Sequence, residues 1–303
     1  MEVLNYLKAL ADETRLRIVS LLREGELNVN EIVEILAMGQ SRISRHLKIL
    51  LDAGIVKCRK DGLWAFYSLS SSDFATKLLD FLYGAMTDEI FESDRISLKL
   101  FKEEKYIKER EFFDNIAPGW SSIKKELLCG FDLNEYMLRE LNGARVVADL
   151  GCGNGELALL LAQKGARVIG VDHSPVMLEI ARDLFVKKNL VNGEFRLGEL
   201  YHLPLKNKEV DMVVINMVLH YLDNPLAVLK ESFRILKNKG RLVIGDFLPH
   251  NNEQLRVAFS HRWLGFSESL IYEWLNHCGF SSFTMNKFEI SQSLGIFICS
   301  CTK

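Results

Sequence analysis

The chain has 303 residues, of which 48% are hydrophobic and 26% charged, and its formal net charge at pH 7 is −2. This length favours two domains, and the composition is that of a globular protein with enough apolar residues for a full core. A charge near zero excludes a protein that is basic overall, so any contact with nucleic acid has to come from a local basic patch. No run of about 18 apolar residues occurs, so we expect no contact with a membrane.

The cellular compartment is indicated by the first residues and the cysteines. The opening stretch MEVLNYLKALADETR mixes charges into its apolar residues, which is unlike a signal peptide. The six cysteines are scattered and form no Cys-x-x-Cys pair, which is typical of reduced thiols. We therefore expect a cytoplasmic protein.

Short helical patterns fill the amino-terminal part of the chain. One helix begins after Asp12, a good helix cap, and a second begins at Asn28 with Glu31 placed for a capping box. A third helix is predicted in GQSRISRHLKILLDAG. The residues expected on its apolar face and at its carboxyl end are Ile43, Leu47, Leu50, Leu51 and Gly54. The Asp61-Gly62 pair between two strand-like runs then predicts a β-hairpin.

Polar and basic side chains occupy the other face of the third helix and one arm of the hairpin. The candidate DNA contacts are Gln40, Ser41, Arg42, Ser44, Arg45, Lys48, Lys57 and Arg59. Basic side chains supply affinity by neutralising phosphates, and the polar residues at the start of the helix reach base edges in the major groove. This order of elements predicts a winged helix-turn-helix. We expect Arg42, Arg45 and Arg59 to be exposed, which argues against a winged helix that serves only for dimerisation.

The stretches ADETRLRIVSLL and SRHLKILLDAGIV resemble the ArsR family of winged-helix repressors over about the first seventy residues. The resemblance implies a homodimer that binds operator DNA and releases it when an effector binds. Many members sense metals through a Cys-x-Cys at the start of the second helix, where this chain has Asn28 and Asn30. Amide side chains are poor ligands for soft metals, so we expect no metal site and a signal that enters elsewhere.

Changes in composition divide the chain into three predicted segments. Residues 1–72 form the winged helix and end in the serine triplet Ser70–Ser72. Residues 73–111 are helical and highly charged, and we interpret them as a linker that forms the dimer. Residues 112–303 alternate strands and helices, which predicts a parallel sheet covered on both faces.

The stretch VVADLGCGNGELA predicts a strand, a glycine loop and a helix. A dinucleotide-binding loop has the pattern Gly-x-Gly-x-x-Gly, but here Glu156 stands where the third glycine is needed. A carboxylate at the head of that helix repels a diphosphate and tolerates S-adenosylmethionine, which carries no phosphate. Asp172 ends the next strand and is placed to accept hydrogen bonds from ribose hydroxyls.

The order of motifs over residues 112–303 resembles a class I methyltransferase with a Rossmann-like sheet. FRLGELYHLP is similar to the segment that packs on adenine, VDMVVINMVLHYLDNP to the fourth strand, and FFDNIAPGW to a lead-in that folds over the cofactor. The cofactor is then S-adenosylmethionine or S-adenosylhomocysteine. The residues that the resemblance assigns to it are Asp149, Gly151, Gly153, Asp172, Glu199, Leu200 and Asn216.

The methyl acceptor is less clearly indicated. Methylation of DNA bases is disfavoured, because the fourth strand ends in Asn216-Met217-Val218-Leu219 instead of an Asn-Pro-Pro-aromatic motif, and no Pro-Cys dipeptide occurs. Arsenite methyltransferases rely on several positioned cysteines, for which Cys152, Cys299 and Cys301 are weak candidates. The candidate catalytic residues are His220, Tyr221 and Asp246, and His250 with His261 is a weak candidate pair for a metal.

Two hypotheses remain open. In the first, the protein is a dimeric transcriptional regulator whose methyltransferase domain senses the cofactor, with or without turnover. In the second, it is an enzyme for a small molecule, and its winged helix governs its own operon. A metal-responsive repressor and an arsenite methyltransferase are the less favoured alternatives.

Overall fold

The computed structural model describes residues 2–70, 73–141 and 143–303. It divides into two compact units, residues 1–107 and residues 108–303. Two residues of the predicted break, Ser71 and Ser72, lie outside the described residues.

The first unit is mainly helical and carries a small sheet. Its elements are α1 (Glu2–Leu10), α2 (Glu13–Arg23), β1 (Leu27–Asn28), α3 (Val29–Leu36), α4 (Gln40–Asp52), β2 (Val56–Asp61), β3 (Trp64–Leu69), α5 (Asp73–Ala85) and the start of α6 (Glu89–Ile116). The strand order β1-β3-β2 is antiparallel throughout, so the predicted hairpin is present. Its two-residue loop is Gly62-Leu63, because Asp61 still pairs with Trp64.

The predicted caps fix the short helices. Asp12 accepts a hydrogen bond from the Arg15 N–H at 3.0 Å, and Asn28 and Glu31 form the predicted reciprocal capping box. Because the Asn28 side chain is used as a helix cap, it satisfies backbone donors that would otherwise stay unpaired. Helix α1, which precedes Asp12, was not predicted.

One face of α4 lies in the core of the first unit, with one correction to the predicted set. Ile43, Leu47 and Leu50 are fully buried, whereas Leu51 is 38% exposed. Each residue advances about 100° around a helix, so Leu51 lies at the margin of the buried face, about 100° from Leu50.

The segment 73–111 packs part of its apolar residues into the first unit. Ala75 and Leu79 of α5 and Leu98 of α6 belong to the same core cluster as the winged helix. Arg17 donates two hydrogen bonds of 2.7 Å to the buried carboxylate of Asp94 in α6. Helix α6 continues to Ile116, beyond the predicted end of this segment. A separate dimerisation role for the segment stays a prediction.

The second unit alternates strands and helices. Its elements are the end of α6, a 3₁₀ turn (Ala117–Gly119), α7 (Trp120–Leu127), α8 (Leu133–Arg139), β4 (Val146–Leu150), α9 (Glu156–Gln163), β5 (Arg167–Asp172), α10 (Pro175–Lys187), β6 (Gly193–Leu197), β7 (Val210–Asn216), a 3₁₀ turn (Leu219–Tyr221), α11 (Pro225–Ile235), β8 (Leu236–Phe247), α12 (Gln254–Phe259), α13 (Glu268–Cys278), β9 (Ser281–Glu289) and β10 (Gly295–Thr302).

The described strands of this unit form one sheet in the order β6-β5-β4-β7-β8-β10-β9. Strands β4 to β8 are parallel, and β10 pairs antiparallel with both β8 and β9. Successive residues of β4 are buried in different core clusters. Val147 belongs to the cluster on one face of the sheet and Ala148 to the cluster on the other, so both faces are covered. The predicted fold class is confirmed.

This topology decides where a site can form. The order of strands reverses between β4 and β7, and the carboxyl ends of β4, β5, β7 and β8 share one edge of the sheet. Ligands of open α/β sheets bind at such a reversal, outside the carboxyl ends of the strands. No described helix combines the length and the apolarity that crossing a membrane requires.

Candidate functional site

The polar face of α4 is open to solvent, as the sequence predicts. The six predicted residues that are exposed there are Gln40, Ser41, Arg42, Ser44, Arg45 and Lys48. The guanidinium of Arg42 donates a 2.9 Å hydrogen bond to the Thr14 hydroxyl, which ties the start of α4 to α2. The helix therefore presents polar groups first and cations beside them, which suits base edges and phosphates respectively.

The two predicted residues of the hairpin differ from each other. Lys57 is exposed, but Arg59 is only 25% exposed at its side chain, so the expectation that it is exposed is wrong. Its guanidinium forms 2.7 Å ion pairs with Glu26 and Asp61 and lies 4.5 Å above the Phe66 ring. The Arg59 guanidinium is therefore neutralised by the carboxylates of Glu26 and Asp61. Its contact with DNA stays a prediction.

The predicted glycine loop joins β4 to α9 at the reversal of strand order. The backbone of Gly151 has φ +71°, and a Cβ atom there would lie 2.5 Å from Cγ2 of Val218. A side chain is therefore excluded by conformation and by the close approach of the chain after β7. Glu156 begins α9, and its carboxylate accepts a hydrogen bond from the Ser121 hydroxyl.

Asp172 lies at the end of β5, where its carboxylate organises the loop. One oxygen accepts the N–H of Gly153 at 2.8 Å, and the other accepts the N–H of Ser174 at 2.9 Å. Each carboxylate oxygen has a second lone pair, so this anchored group keeps acceptor capacity for a diol.

Asp149 is the most perturbed acid of this edge. It is 1% exposed, and burial raises the pKa of its carboxyl group to about 7, with Lys124 opposing the shift and Asp172 adding to it. Its Oδ2 atom has no hydrogen-bond partner among the described residues. Burial also lowers the pKa of the Lys124 ammonium. A raised carboxyl pKa in a cleft indicates a functional group.

The end of β7 combines an unsatisfied amide with a strained backbone. Asn216 donates a 2.8 Å hydrogen bond to Asn134, but its own buried Oδ1 has no partner among residues 2–70, 73–141 and 143–303. Met217 follows with φ +61°, a left-handed conformation that a long side chain rarely adopts. Strain of this kind concentrates at ligand-binding sites.

The two predicted adenine contacts follow β6. Glu199 is exposed and Leu200 is half-buried, and Leu200 packs against the core cluster of the sheet. The Glu199 side chain makes no hydrogen bond or ion pair with the part of the chain that the structure describes, and its assignment to the cofactor stays a prediction.

The three predicted catalytic residues lie together: His220 and Tyr221 in the 3₁₀ turn after β7, and Asp246 near the end of β8. Nδ1 of the buried His220 lies 2.7 Å from Oδ1 of the buried Asp246, which also accepts the Phe247 N–H at 2.8 Å. Because that oxygen is an acceptor, Nδ1 carries the proton, and Nε2 of a neutral His220 ring has the free lone pair. Tyr221 packs on the His220 ring with centroids 4.1 Å apart, and burial raises the pKa of its phenol.

An aromatic segment from the end of α6 lies against this edge of the sheet. The Phe113 ring contacts the rings of Trp120, His173 and Tyr221 edge-on, with centroids 5.0–6.0 Å apart. Asp114 accepts a hydrogen bond from the Ser174 hydroxyl. This is the predicted lead-in segment, and it contacts the ends of β5 and β7.

These residues fit S-adenosylmethionine. The indole of Trp120 lies over the glycine loop, since its Nε1 would lie 3.5 Å from a Cβ at Gly153. The unpartnered oxygens of Asp149 and Asn216 suit the ammonium of a methionine moiety, and Asp172 suits the ribose. The cofactor supplies an electrophilic methyl group when it is bound.

Several contacts at the site carry no signal in the local sequence. They are Asn134 with Asn216, Lys124 near Asp149, Asp114 with Ser174, and His261 beside His220. Each joins residues at least 25 positions apart. Helical or strand periodicity reports only on near neighbours, so only the tertiary fold reveals these pairs.

Two family models match the chain. Residues 12–57 match the family described as bacterial regulatory protein, arsR family, and residues 148–244 match the family described as methyltransferase domain. The chain therefore joins an ArsR-family helix-turn-helix domain to a methyltransferase domain, and S-adenosylmethionine is the cofactor of the second domain, as the sequence predicts.

Curated relatives match the methyltransferase part. The chain is 34% identical over 149 residues to a demethylmenaquinone methyltransferase of Thermotoga maritima, a match that covers 47% of this chain and 62% of the relative. It is 39% identical over 136 residues to an arsenite methyltransferase of Halobacterium salinarum, covering 44% of this chain and 34% of the relative. The chain thus spans less than two thirds of either relative.

A solved structure agrees with the fold of the second unit. It is an S-adenosylmethionine-dependent methyltransferase from Thermotoga maritima described as a possible histamine N-methyltransferase. The TM-score is 0.50 at 21% identity, and the match covers 64% of this chain and 99% of the solved one. At this identity the likeness concerns the fold alone.

Proposed function

We propose that this chain, which joins an ArsR-family domain to a methyltransferase domain, is a dimeric transcriptional regulator that senses S-adenosylmethionine or S-adenosylhomocysteine. The observation that carries the proposal is the exposed polar and basic face of α4, which supports a role as a recognition helix. The pocket at the glycine loop is the candidate sensor, because Asn28 and Asn30 replace the metal-binding thiols of related repressors.

Exposed apolar side chains support the dimer. They lie on α1, α5 and α6 and comprise Val3, Leu4, Leu7, Phe81, Ile96 and Leu100, each about half exposed or more. Exposed apolar side chains at this density favour an interaction surface on these helices. Sedimentation velocity measures whether the chain is a dimer in solution.

Helix α6 is the candidate connection between cofactor and DNA. Its first half packs Phe91, Asp94 and Leu98 within the first unit, and its last residues, Phe113 and Asp114, contact the ends of β5 and β7 in the second unit. A ligand that binds these strand ends with different affinity in two arrangements of α6 shifts the balance between them.

The experiment measures the affinity of the full chain for an operator selected from a random DNA library. Fluorescence anisotropy is recorded without ligand, with S-adenosylmethionine and with S-adenosylhomocysteine. We expect the two ligands to differ by at least about 1 kcal/mol, or fivefold, in their effect on operator affinity. Asp172→Ala is the control, because it should lose the ligand dependence and keep the DNA affinity.

Equal operator affinity in all three states contradicts the sensor. It would leave two independent domains and favour the second candidate, an enzyme for a small molecule.

The buried pair of His220 and Asp246 favours this second candidate. A histidine with an oriented Nδ1–H and a free Nε2 is the arrangement of a general base. The Thermotoga relative is named for demethylmenaquinone as the methyl acceptor and the Halobacterium relative for arsenite. Burial raises the pKa of Cys152 well above its ordinary value and that of Cys299 to about 12, so these thiols are poor arsenic ligands.

The enzyme is tested by following the release of S-adenosylhomocysteine with a panel of small phenols, amines and thiols. For an accepted substrate, His220→Gln should lower turnover about 10²-fold or more while cofactor binding stays unchanged. Turnover with none of the panel would leave the sensor as the function of this domain.

A further inference from the structure

Three buried polar atoms without a hydrogen-bond partner lie close together beside His220. They are Nδ1 and Nε2 of His261 and Oδ2 of Asp246, in side chains that are at most 1% exposed. All three lack a partner among residues 2–70, 73–141 and 143–303. An unmade hydrogen bond in a buried site costs about 1–3 kcal/mol, so three at one place need a partner that the chain itself does not supply.

The backbone holds His261 against the catalytic pair. Ser260, with φ +57°, ends α12 and turns the chain inward. The N–H groups of Arg262 and Trp263 then donate to the carbonyl oxygen of His220 at 2.9 and 3.0 Å. The two imidazole rings come within 4.2 Å of each other, measured between centroids. His261 is therefore aimed at the site by main-chain hydrogen bonds.

The surroundings of His261 keep its ring neutral. Burial lowers the pKa of the His261 imidazole far below its ordinary value, and His220, His250 and Arg256 add to the effect. The guanidinium of Arg256 donates to main-chain carbonyls and to Glu253. A neutral imidazole has one N–H donor and one lone pair, which together match a hydroxyl group that both accepts and donates.

Aromatic rings lead from the glycine loop to this histidine. Trp120 contacts Phe113 at 6.0 Å, Phe113 contacts Tyr221 at 5.0 Å, and Tyr221 contacts His261 at 5.1 Å between centroids. An aromatic ligand packs against a row of rings of this kind either edge-on or offset-stacked.

We infer that His261 holds the methyl acceptor through its ring nitrogens, and that the acceptor is an uncharged aromatic compound with a hydroxyl group. The inference rests on the enzyme candidate of the proposed function. Methylation of such an acceptor breaks its O–H bond and the S–CH₃ bond of the methyl donor and forms an O–CH₃ bond. S-adenosylhomocysteine leaves as the neutral thioether, and the proton passes to Nε2 of His220. The sulfonium of the methyl donor loses its positive charge, and the released proton carries that charge.

The test is binding, with 4-nitrophenol as the probe and S-adenosylhomocysteine present. The probe is used below its own pKa, and its absorbance distinguishes phenol from phenolate. We expect the full chain to bind 4-nitrophenol and to bind nitrobenzene, which lacks the hydroxyl group, at least about tenfold more weakly. His261→Phe keeps the ring contacts and should also weaken 4-nitrophenol at least about tenfold.

Two variants control for folding and position. His261→Gln retains a donor and an acceptor and should bind the probe within about threefold of the unmodified chain. His277→Phe changes an exposed histidine of α13 and should change nothing.

Each contrary result has a separate meaning. If His261→Phe binds the probe as tightly as the unmodified chain, or if nitrobenzene binds equally, the inference is overturned. If the unmodified chain binds S-adenosylhomocysteine but no 4-nitrophenol, the inference fails and the proposed function stands. If it does not bind S-adenosylhomocysteine, the proposed function fails as well.

Discussion

Replacing Asp149 with asparagine tests whether burial beside the glycine loop raises the pKa of the Asp149 carboxyl group. In the unfolded chain this carboxyl group has a pKa near 3.8, and burial raises the pKa to about 7 in the folded chain. Between these values the unfolded state gives up its proton first. The folded state therefore loses stability as the pH rises from about 4 to 7, and the loss is complete above pH 7.

The magnitude follows from the shift. Each pKa unit corresponds to about 1.36 kcal/mol, so a shift of roughly three units costs up to about 4 kcal/mol at pH 8. Asparagine mimics the protonated acid and removes this cost. The cost of ionisation grows by about 1.36 kcal/mol for each pH unit between the two pKa values, and about two pH units of that range lie above pH 5. The stability gained by Asp149→Asn should therefore be about 2–3 kcal/mol larger at pH 8 than at pH 5.

The assay is urea unfolding of the full chain at both pH values, without cofactor. In a Trp64→Phe background the remaining tryptophans, Trp120, Trp263 and Trp274, all report on the second unit. Asp183→Asn removes an exposed carboxylate of α10 and is the matched control. The reasoning is refuted if Asp149→Asn shifts stability equally at pH 5 and pH 8, or if it becomes less favourable as the pH rises.

Three further predictions concern DNA, cofactor and fold. Arg45→Ala should lower affinity for the selected operator more than for random DNA, whereas Lys57→Ala should lower both alike; mobility shifts with no DNA affinity at about 100 mM salt would contradict the regulator. Asp172→Ala should weaken binding of both S-adenosyl ligands by about 1–3 kcal/mol in calorimetry, and binding of NAD instead would refute the cofactor assignment. Gly155→Ala should destabilise the second unit by about 1–3 kcal/mol in urea, because φ is +79° there and the new Cβ would lie 2.7 Å from Cβ of Ala181; an unchanged midpoint would argue against this backbone conformation.

The sequence by itself determined most of the elements and their order, with α1 as an exception. The capping box at Asn28 and Glu31, the glycine loop after a buried strand and Asp172 at the end of the next strand are local patterns. Each depends on residues within a few positions of one another, so periodicity and turn chemistry are sufficient to predict them. The winged helix and the doubly covered sheet follow from the order of these elements, and the fold class is confirmed.

Only the tertiary structure decided which side chains are available. Arg59 looks like a DNA contact in the sequence, but the wing brings Glu26, 33 residues away, to its guanidinium. Leu51 looks like a core residue, but it follows Leu50 on the helix and faces outward. Exposure depends on what packs against a residue, and that is fixed by elements distant in the chain.

The same holds for the candidate site. The sequence predicts His220 and Asp246 separately, one after β7 and the other near the end of β8, but their 2.7 Å contact needs β7 and β8 to be neighbours. His261 comes from a loop that main-chain hydrogen bonds fasten to His220, and no pattern in the sequence records those bonds. Periodicity places residues on an element, whereas strand order and loop docking decide which of them meet.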